Sequence, residues 1–191
     1  MKIGIDISQL AYPETGVANY LEQLVRHLLE IDKENEYVLF FSSLRKNFQF
    51  SIFPGLAKRS GAGNFQSNPN VSMMKLKIPP TLLDFLWNRL HILPIENLIG
   101  DVDWFITSDW TEPPVRGAKK ATIVYDLIVY KHPSETDHKI VSTQRRKLEW
   151  VKKESDIVFT ISEASKKDIE EILKIDSSKI KVIYPGIYPV K

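Results

Sequence analysis

The chain has 191 residues, enough for one domain with a sizeable core. It is 43% hydrophobic and 26% charged, and its formal net charge of +2 is too small to point to nucleic acid. It has no cysteine, which excludes disulfide and thiolate chemistry and fits a reducing compartment. The start MKIGIDISQL has Asp6 where a signal peptide needs an unbroken apolar core. No apolar run nears the ~20 residues that span a bilayer. The expected location is the cytoplasm.

Strand and helix patterns alternate along the chain. KIGIDI reads as a buried first strand, followed by a polar loop with a single glycine, Gly16. Val17, Tyr20, Leu21, Leu24, Val25 and Leu28 then mark one apolar helix face. YVLFFS is a second strand. From Leu44 to Asn70 the pattern fails, and turn formers and charge predict a surface excursion. VSMMKLK is a third strand. PPTLLDFLWNRLHILPIENLIG opens with a proline pair suited to a helix start, and its leucines are too dense for a narrow stripe. This segment is expected to be buried or to dock a partner. DWFITS, ATIVYD, DIVFTIS and KVIYPG are four further strands. Helical periods cover Asp137–Glu154 and Glu163–Lys174; Ser162 can cap the second, whose inner face is Ile169, Ile172 and Leu173.

Apolar strands separated by helices predict a doubly wound, mainly parallel, Rossmann-like α/β sheet of about seven strands. Ligands of such sheets lie beyond the carboxyl ends of the strands, near the switch in strand order. The stretches to inspect are therefore Ser8–Gly16, Ser108–Pro114, Asp126–Pro133 and Ser162–Ser165.

Gly16 opens a helix whose first N–H groups and dipole suit a phosphate, although a lone glycine can equally serve a plain turn. In SDWTEPP, Asp109, Trp110, Thr111 and Glu112 combine carboxylates with an aromatic plate, as carbohydrate sites do. The alternative is a polar loop with a half-buried tryptophan. Asp126, at a strand tip after Tyr125, can orient a hydroxyl or simply cap a turn. His132 and His138 flank the next loop, whereas His27 and His91 read as structural. No metal-ligand spacing appears, so no metal is expected. Arg145, Arg146, Lys147, Lys152 and Lys153 read as a solvated helix face. A weak contact with an anionic membrane surface is the sharper alternative, favoured if Trp150 points outward.

Together these pieces resemble the glycosyl transferases group one, a retaining family with the GT-B fold. The residues that carry the resemblance are KIGIDISQL…ETGVANYLEQLVRHLLEIDKENEYVLF, VDWFITSDWTEPP, ATIVYDLIVYKHP and SDIVFTISEASKKDIEEILKIDSSKIKVIYPGI. They cover nearly the whole chain except Leu44–Asn70. The resemblance implies an enzyme that moves a sugar from a nucleotide sugar to a glycan or lipid-linked acceptor, without metal or other cofactor. It implies that residues 1–187 form the acceptor-side domain of that enzyme, with 188–191 starting the linker to a C-terminal nucleotide-sugar domain that the chain lacks. The 191 residues alone are then expected to be inactive, and no nucleic-acid partner is implied.

By the same resemblance Thr15 and Gly16 approach the donor diphosphate, Asp126 and Tyr125 sit at the catalytic centre, and Asp109, Trp110, Thr111 and His132 bind the acceptor. Ser162 and Glu163 would form the rim of the cleft. The family's usual histidine before Asp126 is Tyr125 here, and Pro185-Gly186 replaces its common Asn-Gly. Three other readings remain open from the residues. One is a stand-alone Rossmann-like module that binds a sugar or nucleotide without catalysis. A nicotinamide-dependent enzyme is disfavoured because no G-x-G-x-x-G follows the first strand. The third is a peripheral adaptor on the inner face of a membrane.

Overall fold

Each apolar run becomes a parallel strand, and the polar stretches between them become turns and helix starts. The computed structural model describes residues 1–44 and 69–186. Most of the expected excursion, and the boundary at 187 with its linker, lie outside the described residues. The strands are β1 (Lys2–Asp6), β2 (Glu36–Ser42), β3 (Val71–Leu76), β4 (Trp104–Thr107), β5 (Lys119–Ile123), β6 (Ile157–Thr160) and β7 (Ile180–Val182). They form one seven-stranded sheet in the order β3-β2-β1-β4-β5-β6-β7, with every pair parallel. The order reverses between β1 and β4, so the switch point lies beyond Asp6 and Thr107.

Helices cover both faces, as a parallel sheet buried on both sides requires. Helix α1 (Gly16–Ile31) packs Ala18, Leu21, Val25 and Leu29 against Ile5, Leu39 and Ile123. On the other face α2 (Pro80–Leu83) runs on into a wider, π-helical turn, Asp84–Arg89, and α3 (Glu96–Ile99) follows. Leu83, Trp87 and Ile99 there meet Val38, Phe40 and Phe105. Also present are α4 (Ile128–Lys131), α5 (His138–Glu154) and α6 (Glu163–Asp168), which continues through Ile169–Leu173. Leu148, Val151, Ile169 and Leu173 close over Val158 and Ile180.

Close helix approach explains the glycine in β1. A Cβ on Gly4 would lie 2.7 Å from a Phe105 ring carbon and 2.8 Å from Ile99 Cδ1. The leucine-rich segment is not one helix. It breaks after Arg89, where His91 and Leu93 take positive φ values of 52° and 68°. The expected burial holds for one face only: Leu83 and Trp87 are core, while Leu82, Phe85 and Leu90 are 44, 46 and 49% exposed. Strand β5 ends at Ile123, so Tyr125-Asp126 lies just past the strand rather than in it. Among the described residues no helix is long and apolar enough to cross a membrane.

Candidate functional site

At the switch point the loop after β4 is held in one shape by buried polar contacts. Glu112 is fully buried and accepts hydrogen bonds from Thr107 Oγ1 at 2.7 Å and Thr122 Oγ1 at 2.9 Å. Its own N–H donates to Asn88 Oδ1 at 2.9 Å, and Asn88 Nδ2 donates to the Trp110 carbonyl at 2.9 Å. Lys120, on β5 and also fully buried, donates to Glu154 Oε2 at 2.6 Å and lies 3.6 Å from Glu112. Glu112 is therefore an anchor of the loop. The expectation that it would join Asp109 as a ligand-facing carboxylate is corrected, because it points into the protein.

The anchored loop presents Asp109 and Trp110 as a ridge between two cavities. The larger, about 300 Å³, is bounded by Trp110, Asp109, Tyr125, Asp126 and Val17, with Lys147 in its wall. The smaller, about 40 Å³, lies on the other side of Trp110 against Asp6, Ser8, Gln9 and Thr111. Both open beyond the carboxyl ends of the central strands.

Asp109 accepts from Gln144 Nε2 at its carbonyl (2.9 Å) and its Oδ1 (3.3 Å). Burial pushes its carboxyl above the ordinary carboxylate range, against the pull of the Lys147 ammonium and the Gln144 bond. Asp6 is raised in the same way by burial, although Ser8 bonds it and Lys147 attracts it. Tyr125 is buried, meets the Ser108 hydroxyl at 3.0 Å and packs edge-on against Tyr20 with centroids 5.5 Å apart. Burial raises its phenol well above the usual value, so it stays protonated. Asp126 is exposed at the mouth of the larger cavity, where its Oδ1 accepts from the Ile128 N–H at 3.0 Å. One oxygen thus caps a turn.

Lys147 is the residue that the sequence reading placed wrongly. The solvated-face expectation is corrected for it: Lys147 is 2% exposed, and its ammonium donates to the Ser108 carbonyl. Burial lowers its affinity for the proton, while Glu112, Asp109 and Asp6 act to restore it. Its neighbours are also engaged. Arg145 donates to the Val129 carbonyl at 3.0 Å, and Arg146 pairs with Asp84 at 3.2 Å. Lys152 and Lys153 are exposed. Trp150 does not point freely outward: its Nε1 donates to the Asn88 carbonyl at 2.9 Å, and its ring stacks on His91 at 3.6 Å.

The remaining expected site residues divide. Thr15 and Gly16 are exposed at the start of α1, next to Val17 in the wall of the larger cavity. Thr15 Oγ1 is engaged as the helix cap, accepting from the Ala18 N–H at 3.2 Å. His132 lines neither cavity and faces Glu135 at 3.3 Å. His138 starts α5 and is exposed. Ser162 caps α6, accepting from the Ser165 N–H at 3.0 Å, and Glu163 beside it is exposed. The structure gathers Asp109, Trp110, Thr111, Tyr125 and Asp126 around the switch point and adds Lys147, Asp6 and Gln9.

A cavity at the carboxyl ends of the central strands, with an indole wall, carboxylates and one buried cation, suits a polyhydroxylated ligand. The description of the family model that matches residues 15–190 is Glycosyltransferase Family 4. No curated protein matches the chain.

Proposed function

The chain belongs to Glycosyltransferase Family 4, as the N-terminal domain of a GT-B fold, and from that premise we propose that it binds the acceptor in a retaining enzyme. On this reading a sugar passes from a nucleotide sugar to a glycan or lipid-linked acceptor, in the cytoplasm. The observation that supports it best is the 300 Å³ cavity beside Trp110, where Asp109 and Asp126 can accept from sugar hydroxyls. The indole covers the apolar face of the ring, and Tyr125, where the family commonly has histidine, lies at the inner end. With its phenol protonated and bonded to Ser108, Tyr125 can donate or accept a hydrogen bond but supplies no charge.

The leaving diphosphate would be stabilised by helix N-termini and basic groups in place of a metal. The exposed start of α1 at Thr15 and Gly16 is this chain's contribution. The basic groups would come from a donor domain across the cleft, and Ser162 and Glu163 would face it. Transfer should be assayed with a protein that carries both domains. Trp110→Ala and Asp109→Asn are expected to raise the acceptor KM and to leave hydrolysis of the nucleotide sugar nearly unchanged. The 191 residues alone are expected to give no turnover. Sugar transfer by them alone, or unchanged acceptor kinetics in both variants, would sink the proposal.

A further inference from the structure

His91 is held at both of its ring nitrogens. Nδ1 lies 2.8 Å from the Trp87 carbonyl oxygen, and Nε2 lies 2.8 Å from Glu154 Oε1. A carbonyl only accepts, so Nδ1 carries a proton. Glu154 is ionised: burial acts to raise its carboxyl, but the Lys120 bond and charge, together with His91, outweigh burial and hold it below the ordinary range. A carboxylate also only accepts, so Nε2 carries a second proton and the side chain is an imidazolium. The backbone at His91 has a φ of 52°, a left-handed conformation that a non-glycine residue keeps only when its surroundings hold it.

The imidazolium closes a circuit of contacts that reaches the loop after β4. Glu154 Oε2 accepts from Lys120 at 2.6 Å, and Lys120 lies 3.6 Å from Glu112. The Glu112 N–H donates to Asn88 Oδ1, and the Asn88 carbonyl accepts from the Trp150 indole. The Trp150 ring returns to His91, stacked on it nearly parallel at 3.6 Å. The Trp110 carbonyl hangs from this circuit, 2.9 Å from Asn88 Nδ2. Charges alternate through His91, Glu154, Lys120 and Glu112. Without the charge on His91, whose side chain is 10% exposed, two carboxylates would share one ammonium. The other charges around the circuit are engaged elsewhere. Lys147 attracts Glu112 from its other side, Lys153 lies 4.6 Å from the centre of the Trp150 ring, and Arg89 and Arg146 both pair with Asp84.

We propose that His91 is a proton-operated positioning residue for the Trp110 loop. Doubly protonated, it locks the circuit. Loss of one proton leaves a ring nitrogen with its lone pair against an acceptor, so the Glu154 or the Trp87 contact opens and the loop loosens. The loop is therefore tight on the acid side of the His91 titration and looser on the alkaline side. The circuit fixes the loop whatever ligand the cavity takes, so the test needs neither ligand nor turnover.

The test is NMR on the full chain from pH ~5 to ~9, the span in which a histidine side chain changes charge. Nitrogen-15 spectra of the His91 ring count its protons, and the Glu112 amide and the Trp150 indole N–H report on the circuit. The ring is expected to carry two protons at the acid end. As it titrates, hydrogen-exchange protection of the Glu112 amide, corrected for intrinsic base catalysis, should fall about tenfold, as for one lost hydrogen bond. The Trp150 indole signal should move with the same midpoint. His91→Gln offers an amide donor to Glu154 that does not titrate, and it should abolish the transition. A His91 ring with one proton throughout, a ring that does not titrate in this span, reporters that ignore its midpoint, or a transition that survives His91→Gln would each overturn the assignment. Should His91→Gln fail to fold, the midpoints in the parent decide: reporters that follow Asp6 or Asp109 instead of His91 refute it.

Discussion

Replacing Lys147 by methionine tests the electrostatic logic of the site. Methionine keeps most of the side-chain volume, so the change removes the ammonium without leaving a large cavity. Lys147 is 2% exposed, and its charge acts on Glu112, Asp109 and Asp6. Without it these carboxylates face one another with less compensation, and the Ser108 carbonyl loses its donor. Removing one partner of a buried charge cluster costs about 3–5 kcal/mol. In a chain of this size each kcal/mol lowers the melting temperature by about 2–4 °C, so Lys147→Met should melt roughly 6–20 °C lower at neutral pH. The pH dependence has a definite sign. Asp6 and Asp109 already have raised folded pKa values, so the protonated forms favour the fold, and that contribution is lost as pH rises through the folded values. Losing Lys147 raises both further, so the deficit of the variant should shrink on acidification from neutral pH toward pH ~5. Thermal melts by circular dichroism at both pH values measure this. A deficit below about 1 kcal/mol, or one that does not change with pH, would refute the claim that the ammonium compensates the carboxylates.

Gly4→Ala should destabilise by about 1–3 kcal/mol in denaturant titration, because its Cβ would meet Phe105 and Ile99 at 2.7 and 2.8 Å in packed core. A neutral result would mean that this face of the sheet yields easily. Asp32→Asn should flatten the acid limb of the stability curve. Asn35, Tyr37 and the Glu34 N–H bond its carboxylate and hold it well below the usual range. That stability is present above the ordinary carboxylate value and is lost as pH falls below it. Acid titrations that superimpose for Asp32→Asn and the parent would refute the assignment.

The sheet was legible because apolar strands and amphipathic helices carry different periods, and β1, α1 and the strand ends follow from that contrast. That the loops carrying Asp109, Trp110 and Asp126 gather at the strand ends follows from topology alone. Lys147 was hidden by its company. Among Arg145, Arg146 and Lys152 it reads as one more surface cation, although it lies four residues before the buried Val151 and three after Gln144, on the inward face of α5. Spacing could have found it where charge class misled. Glu112 and Lys120 were illegible for a different reason. Each is buried because its partners, Thr107, Thr122 and Glu154, come from elsewhere in the chain, and no local pattern records such pairings. Gln9 gives no signal at all in sequence, since a polar residue after a strand normally faces water. The break at His91 and Leu93 also escaped, because neither residue favours positive φ as glycine does.

The charges at the switch point bear on how the proposed reaction would be shared between domains. Asp109 and Asp126 line the larger cavity, Asp6 lines the smaller one, and Lys147 is the one basic residue among the described residues that line the larger. That lysine donates to the Ser108 carbonyl and is screened by Asp6, Asp109 and Glu112, so its field does not reach the mouth as a free positive charge. A diphosphate placed deep in this cavity would meet carboxylates, whereas a neutral polyol would meet acceptors for its hydroxyls. On the transferase reading the sugar acceptor therefore belongs inside, between Trp110 and Asp126. On that reading the diphosphate would lie outside, at the start of α1, where the positive end of the helix dipole is exposed beside Thr15 and Gly16. Such a division would keep the carboxylates of the cavity and the diphosphate apart.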